Sequence, residues 1–138
     1  AMHIAVRTSL PDNPLFIDGN AEQLGKTIMS LLNNGMYAIA KKYGKKAYPA
    51  EIGLALESKD GQAVIRLYDN GVGIEQSILD KIFDPFFTTK TTGEAAGIGL
   101  YLSKEIILNH HGQIAVRSEK DELTEFTITL PLWEEKSV

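Results

Sequence analysis

Two hydrophobic periods share this chain, and their order constrains its fold more than any other feature. Leu24, Ile28, Leu31, Leu32, Gly35, Ala38 and Ile39 recur at helical spacing and form one apolar stripe. Asn20, with Gln23 three residues on, reads as the cap and weak capping box that start this helix; Gly44 suits the C′ position after it. Beyond it the period changes. Ile52, Leu54 and Leu56 alternate as a strand does, and Ala63–Tyr68 is a second strand across the Lys59-Asp60-Gly61 turn. Ile114/Val116 and Phe126/Ile128/Leu130 give two more, the last closed by Pro131. His3–Thr8 and Leu15–Asp18 are short strand candidates split by the turn cluster Pro11-Asp12-Asn13-Pro14. Glu75–Phe83 reads as a short helix and Phe86–Ala96 as a loop. Ile98, Tyr101, Leu102 and Ile106 read as a further helix ended by His110-His111-Gly112. The order β-β-α-β-β-α-loop-α-β-β predicts a mostly antiparallel sheet with one polar face, covered on the other by helices.

Composition narrows the chemistry. A chain of 138 residues with 43% hydrophobic content has room for one domain and a real core. The absence of cysteine removes disulfides, thiolate zinc sites and cysteine nucleophiles. His3, His110 and His111 are the only histidines, so an imidazole-based site has few candidates. A net charge of −4 argues against general nucleic-acid or anionic-membrane binding. No apolar run approaches a bilayer span and no leader pattern is present, so a soluble, cytoplasmic domain is expected. The Ala1-Met2 start ahead of His3 suggests a fragment of a longer protein, whose remainder could be membrane-anchored.

Four segments could carry chemistry. Ser30, Asn34, Tyr37 and Lys41 share a helical stripe beside the apolar one. It reads either as a solvated helix edge or as a ligand-facing edge on which the Asn34 amide oxygen suits Mg²⁺. Gly35, costly inside a helix, hints at a close approach. Asp69-Asn70-Gly71-Val72-Gly73-Ile74 follows a strand. Asn-Gly is a strong hairpin signal, but the following residues look helical. An alternative is a tight turn that leaves the Asp69 carboxylate as an acceptor aimed into a pocket, where an exocyclic amino group is a fitting donor. Phe83-Asp84-Pro85-Phe86-Phe87-Thr88-Thr89-Lys90 combines a hydrophobic anchor with a lysine able to reach an anion. Gly93-Glu94-Ala95-Ala96-Gly97-Ile98-Gly99-Leu100 opens a helix, where free N–H groups and the dipole favour phosphate. It is neither a Rossmann fingerprint nor a Walker A motif.

In this order the four segments resemble the ATP-binding domain of sensor histidine kinases. These belong to the superfamily shared with gyrase, the ninety-kilodalton chaperone and MutL. The resemblance covers roughly Leu15 to Leu132. Asn34 with Ala38-Ile39 is similar to the N box, Asp69–Ile74 to the G1 box and Phe83–Lys90 to the F box. Gly97-Ile98-Gly99-Leu100 is similar to the G2 box, and Thr124-Glu125-Phe126 with Leu130-Pro131 to the closing strand. Ser30 stands where the N box commonly begins with Asn, Gly35 replaces the usual Ala, and Ala95 stands at the place of an earlier glycine.

The resemblance implies a two-layer α+β sandwich with a mixed sheet, the Bergerat fold, over residues 3–134. It implies ATP and Mg²⁺ as cofactors, with Asn34 as the metal ligand. Asp69 would bind the adenine amino group, Gly73 would allow close approach, and Thr124 would assist through water. Tyr37, Ala38, Lys41, Gly71, Ile74 and Phe87 would line the nucleotide. Lys90, Gly97, Ile98, Gly99 and Leu100 would lie at the phosphates, and Phe86–Ala96 would form a lid. Asn34 and Ser30 are the catalytic candidates. Hydrolysing members place a Glu base at the Ser30 position, and serine is a poor base unaided. Phosphoryl transfer to a histidine on a dimeric helical hairpin, then to a response regulator, is the implied activity. None of the three histidines carries the acceptor's His-acidic pattern, and His110-His111 reads instead as a helix-end cation. The acceptor hairpin is therefore expected outside this chain, and the isolated domain is expected to be a monomer. A nucleotide-sensing module without transfer and an ATP hydrolase are the alternatives.

Overall fold

The helix predicted from Asn20 to Tyr43 decides the architecture, because it must cross over the sheet between two strands. In the computed structural model, which describes residues 1–87 and 100–134, the described elements alternate as follows. β1 is Ile4–Ser9, α1 Ala21–Tyr43, β2 Ala50–Lys59, β3 Gln62–Asp69, α2 Gln76–Leu79, α3 Tyr101–Asn109, β4 Gln113–Glu119 and β5 Leu123–Pro131. The strands form one sheet in the order β1-β2-β3-β5-β4. β1 pairs with β2 in parallel, and the other pairings are antiparallel. A parallel pair needs a crossover, and α1 supplies it. The sheet is mixed and the helices lie on one face, an α+β sandwich. No helix among the described residues is long and apolar enough to cross a membrane.

Register divides the two faces. Leu54, Leu67, Phe126 and Val116 share one rung, and Leu56, Ile65, Ile128 and Ile114 share the next. Leu31, Ile82, Leu100 and Ile107 pack onto this face as the core. The opposite face carries three ion pairs, Arg7–Glu51, Arg66–Glu57 and Arg117–Glu125, at 2.9, 2.7 and 3.9 Å. Asp60 and Gly61, at φ 53° and 77°, make the β2–β3 turn, where only residues tolerant of the left-handed region fit.

The helix ends depart from expectation in instructive ways. The Asn20 side chain caps α1 by accepting from Gln23 N–H at 3.0 Å. The other half of the capping box comes from elsewhere: His110 Nε2 accepts the Asn20 N–H at 3.0 Å. Its Nδ1 donates to Ile106 O at 2.7 Å. A ring that accepts at one nitrogen and donates at the other is neutral, so His110 joins two helix ends and is not the dipole-facing cation expected. The α3 terminus closes with Gly112 N–H on Ile107 O and His111 N–H on Leu108 O, the Schellman pattern. The left-handed residue there is His111 at φ 62°. Gly112 is needed for another reason: a Cβ on it would strike Thr129 O. Gly44 sits at φ −65°, right-handed, so its conformational freedom is unused.

Three element assignments also change. Leu15–Asp18 is not a strand; Trp133 N–H donates to Phe16 O beside the edge-on Phe16–Trp133 rings, and Ile17 packs against the core. The helix expected over Glu75–Phe83 stops at Leu79 and continues as turns closed by Lys81 N–H to Ile78 O and Asp84 N–H to Lys81 O. In α3 the buried residues are Ser103, Ile106 and Ile107, while Tyr101 and Leu102 are exposed. Of the stripe read from Ile98, Tyr101, Leu102 and Ile106, Ile106 is buried, Tyr101 and Leu102 face outward, and Ile98 lies outside the described residues.

Candidate functional site

The helix-covered face changes character at one end. Asp69 on β3 lies opposite Thr124 on β5, which lies opposite Ser118 on β4. These three polar residues continue the apolar rungs and are as buried as their neighbours, at 5%, 4% and 2% exposure. Burial pushes the Asp69 carboxyl up from 3.8 to about 6. The Gly71 N–H, donating to Oδ1 at 2.9 Å, pulls the other way. At neutral pH the group is mostly a carboxylate and therefore an acceptor without a proton.

The turn after β3 is not a hairpin. Asn70 clamps it to the start of β2: Oδ1 accepts from Glu51 N–H at 2.8 Å and Nδ2 donates to Pro49 O at 2.9 Å. Val72 N–H reaches Ala38 O on α1, and Val72 O accepts from Asp121 N–H in the β4–β5 turn. The loop is thus held between a helix and a turn that are distant in sequence. Gly71 fits because a Cβ would lie 2.5 Å from the Ala38 carbonyl carbon. Gly73 has φ 70°, and a Cβ there would collide with Glu119 O. Lys42 Nζ ties the same parts together through Asp121 O at 2.6 Å.

Between α1, this loop and the polar end of the sheet lies a cavity of about 350 Å³, within the usual range for small-molecule sites. Asn34, Tyr37, Ala38 and Lys41 form its helical wall. Asp69, Thr124 and Phe126 lie on the sheet side, and Val72, Gly73, Ile74, Glu75 and Ile78 close it, with Lys45, Lys120 and Asp121 at the rim. Gly35 lies behind Asp69: a Cβ on it would sit 3.3 Å from Oδ2. That is the close approach its presence in a helix suggested.

Of the residues singled out from sequence, Asn34, Tyr37, Ala38, Lys41, Asp69, Gly73, Ile74 and Thr124 converge on this cavity. Gly71 packs against Ala38 and does not line it. Three others do not reach it. Ser30 is exposed on α1, one turn before Asn34, outside the cavity wall. Phe87 packs against the core cluster, as an anchor would. Leu100 is buried in that cluster, with its N–H on Ile82 O. Lys90, Ala95, Gly97, Ile98 and Gly99, and the loop from Thr88 to Ala96, lie outside the described residues.

Sequence reading missed Ser118, Lys120 and Asp121. Ser118 had a signal: it extends the Ile114, Val116 alternation onto the covered face, where a hydroxyl needs partners. Lys120 and Asp121 had none, because only the folded β4–β5 turn brings them beside the loop after β3.

Among the described residues no cluster of three or more His, Asp or Glu is placed to hold a metal. The cavity offers the neutral Asn34 oxygen instead. That donor suits Mg²⁺ carried in by phosphates, since this ion keeps most ligands from water and substrate.

A sandwich with a buried carboxylate at the floor of a helix-walled cleft defines a class of small-molecule-binding domain. Comparison gives the family. Residues 19–134 match the model for histidine kinase-, DNA gyrase B- and HSP90-like ATPases. The chain is 39% identical over 122 residues to the signal transduction histidine-protein kinase AtoS of Escherichia coli, covering 88% of this chain and 19% of AtoS. It is 34% identical over 123 residues to sporulation kinase D of Bacillus subtilis, covering 89% of this chain and 22% of that kinase. The chain thus spans about a fifth of the length of these curated relatives. The catalytic domain of histidine kinase ThkA superposes with a TM-score of 0.75 at 23% identity, covering 93% of this chain and 78% of the other, a likeness of fold. The chain belongs to this ATPase family, as an ATP-binding catalytic domain of the histidine kinase type.

Proposed function

We propose that residues 3–134 form one domain that binds Mg-ATP in this cavity. It would transfer the γ-phosphoryl group to a histidine on a separate, dimeric helical-hairpin domain, from which a response regulator would receive it. The observation that carries the reading is the buried Asp69 carboxylate on the cavity floor, facing a wall that bears Asn34. Asp69 accepts a hydrogen bond from the exocyclic amino group of adenine. Thr124 assists beside it, and Tyr37, Ala38, Ile74 and Phe126 enclose the base and ribose. Asn34 gives its amide oxygen to the Mg²⁺ that arrives with the triphosphate, and Lys41 lies on the same helical stripe. Lys90, Gly97, Ile98 and Gly99 are proposed phosphate contacts through side chain and backbone N–H groups.

In the transfer, the bond from the γ-phosphorus to the ADP oxygen breaks and a phosphorus–nitrogen bond forms. The imidazole N–H proton is released. The protein's part is positioning and charge neutralisation. Hydrolysis is disfavoured, because Ser30 is no base and stands outside the cavity wall.

The test is Mg-ATP affinity by calorimetry for the wild type, Asp69→Asn and Asn34→Ala. Loss in both variants is expected; equal affinity in all three overturns the site. Phosphohistidine should then appear when the domain is mixed with, or joined to, its acceptor hairpin. Tight ATP binding without label would favour a nucleotide sensor.

A further inference from the structure

Ser118 does not line the cavity, yet its hydroxyl makes three contacts behind it. Ile74 N–H, Leu123 O and Thr124 Oγ1 each lie 2.8 Å from Ser118 Oγ. A hydroxyl has one proton and two lone pairs. A backbone N–H can only donate, and a carbonyl can only accept. The Ser118 proton therefore goes to Leu123 O, and one lone pair takes the Ile74 N–H. The remaining lone pair faces Thr124, which must be the donor. All three capacities of Ser118 are filled, and Thr124 has no proton left for the cavity.

We infer that Ser118 is a specificity-determining positioning residue: by taking the Thr124 proton it makes the cavity floor acceptor-only and so selects a 6-amino purine over a 6-oxo purine. Asp69 contributes the second acceptor, with Oδ1 already taking the Gly71 N–H. Two acceptors side by side match a donor such as an amino group, directly or through a water that gives one proton to Thr124. An oxo group at the same place meets lone pairs on both sides. The inference rests on the cavity being a nucleotide site and adds the residue that sets the direction of its hydrogen bonds.

The test uses the whole chain and two nucleotides, Mg-ATP and Mg-ITP, with affinities from calorimetry. Ser118→Ala leaves Thr124 free to turn its proton to the cavity. The ATP-to-ITP preference is expected to narrow roughly three- to tenfold, the weight of one hydrogen bond. Ser118→Thr, which keeps the hydroxyl, is expected to restore it. A merely structural role, through the lost support of Ile74 N–H, lowers both affinities by the same factor. An unchanged ratio therefore overturns the inference. Thr124→Val provides a second route should Ser118→Ala not fold. If Thr124 presents only lone pairs, its loss weakens ATP and spares ITP; a loss that falls mainly on ITP overturns the assignment. Failure of the wild type to bind either nucleotide is a different result, since it removes the nucleotide reading itself and this inference with it.

Discussion

Two regions of one sheet face are both covered by helices and chemically opposite. At one end Ile65, Ile128 and Ile114 share a rung over the core, with Ile128 at 0% exposure. At the other, Asp69, Thr124 and Ser118 share a rung and are all buried, whereas Ile65 and Ile114 of the apolar rung are only partly so. The apolar end is stabilised by burial itself. At the polar end burial opposes the charge, and the Asp69 carboxyl is pushed up to about 6. A fold that places a carboxylate there gives up stability at a site where binding can use it. Two rungs of one sheet face, with the Leu67, Phe126 and Val116 rung between them, thus divide stability from recognition.

The comparison can be broken by substitution. Ile128→Ala should destabilise by about 2–5 kcal/mol in chemical denaturation, through lost burial plus a cavity. Under conditions where it stays folded, its nucleotide affinity should hold. Asp69→Asn should do the reverse. At pH 7 and above the ligand-free protein should be more stable by up to about 3 kcal/mol, because the raised pKa is a cost of ionisation that the amide lacks. Its ATP affinity should fall roughly tenfold or more, the scale of a lost charged hydrogen bond. A variant both less stable and unimpaired in binding would erase the distinction between the ends.

The pH dependence sharpens the same point. The folded pKa of Asp69 is above the unfolded value, so the native state holds the extra proton between 3.8 and about 6. Stability from this group therefore declines as pH rises through that window and is flat above it. ATP affinity should move oppositely, weakening as pH falls below about 6, when protonation removes an acceptor. Denaturation and calorimetry across pH 4–8 check both signs, and Asp69→Asn should abolish this contribution to each.

Smaller effects test the surroundings. Gly35→Ala should improve the helix by about 1 kcal/mol, while its Cβ, at 3.3 Å from Asp69 Oδ2 and Ile52 Cδ1, crowds both. A stability change under about 1 kcal/mol with a measurable loss of ATP affinity is expected, since the crowding falls on the carboxylate. Last, Arg66→Ala breaks the 2.7 Å pair with Glu57 on the open face. Solvent screens that pair, so neither melting temperature nor nucleotide affinity should change measurably.

Much of this was legible in the sequence. The α1 stripe from Leu24 to Ile39 matched the buried side, because a helix of 23 residues samples its period many times. The short α3 matched only at Ile106, because nine residues with apolar groups on several sides do not specify a phase. Asp69, Gly73 and Asn34 stood out because their residue types are unusual for their places: a carboxylate ending an apolar strand, a glycine before a helix and an amide beside an apolar stripe. Phe87 and Leu100 were drawn into the site by adjacency in sequence, yet both turn into the core.

What the sequence by itself determined was the main helix and the four strands after it, the helix-covered face and the chemical groups available, since these follow from local period and residue type. Only the tertiary structure decided which groups meet. Asp69, Thr124 and Ser118 are dispersed along the chain and become neighbours through antiparallel register. His110 completes the cap at Asn20 from 90 residues further along the chain. The proton that Thr124 gives to Ser118 also depends on where Ile74 and Leu123 fall. Hydrogen-bond direction is a property of the assembled set of partners, and no single segment contains it.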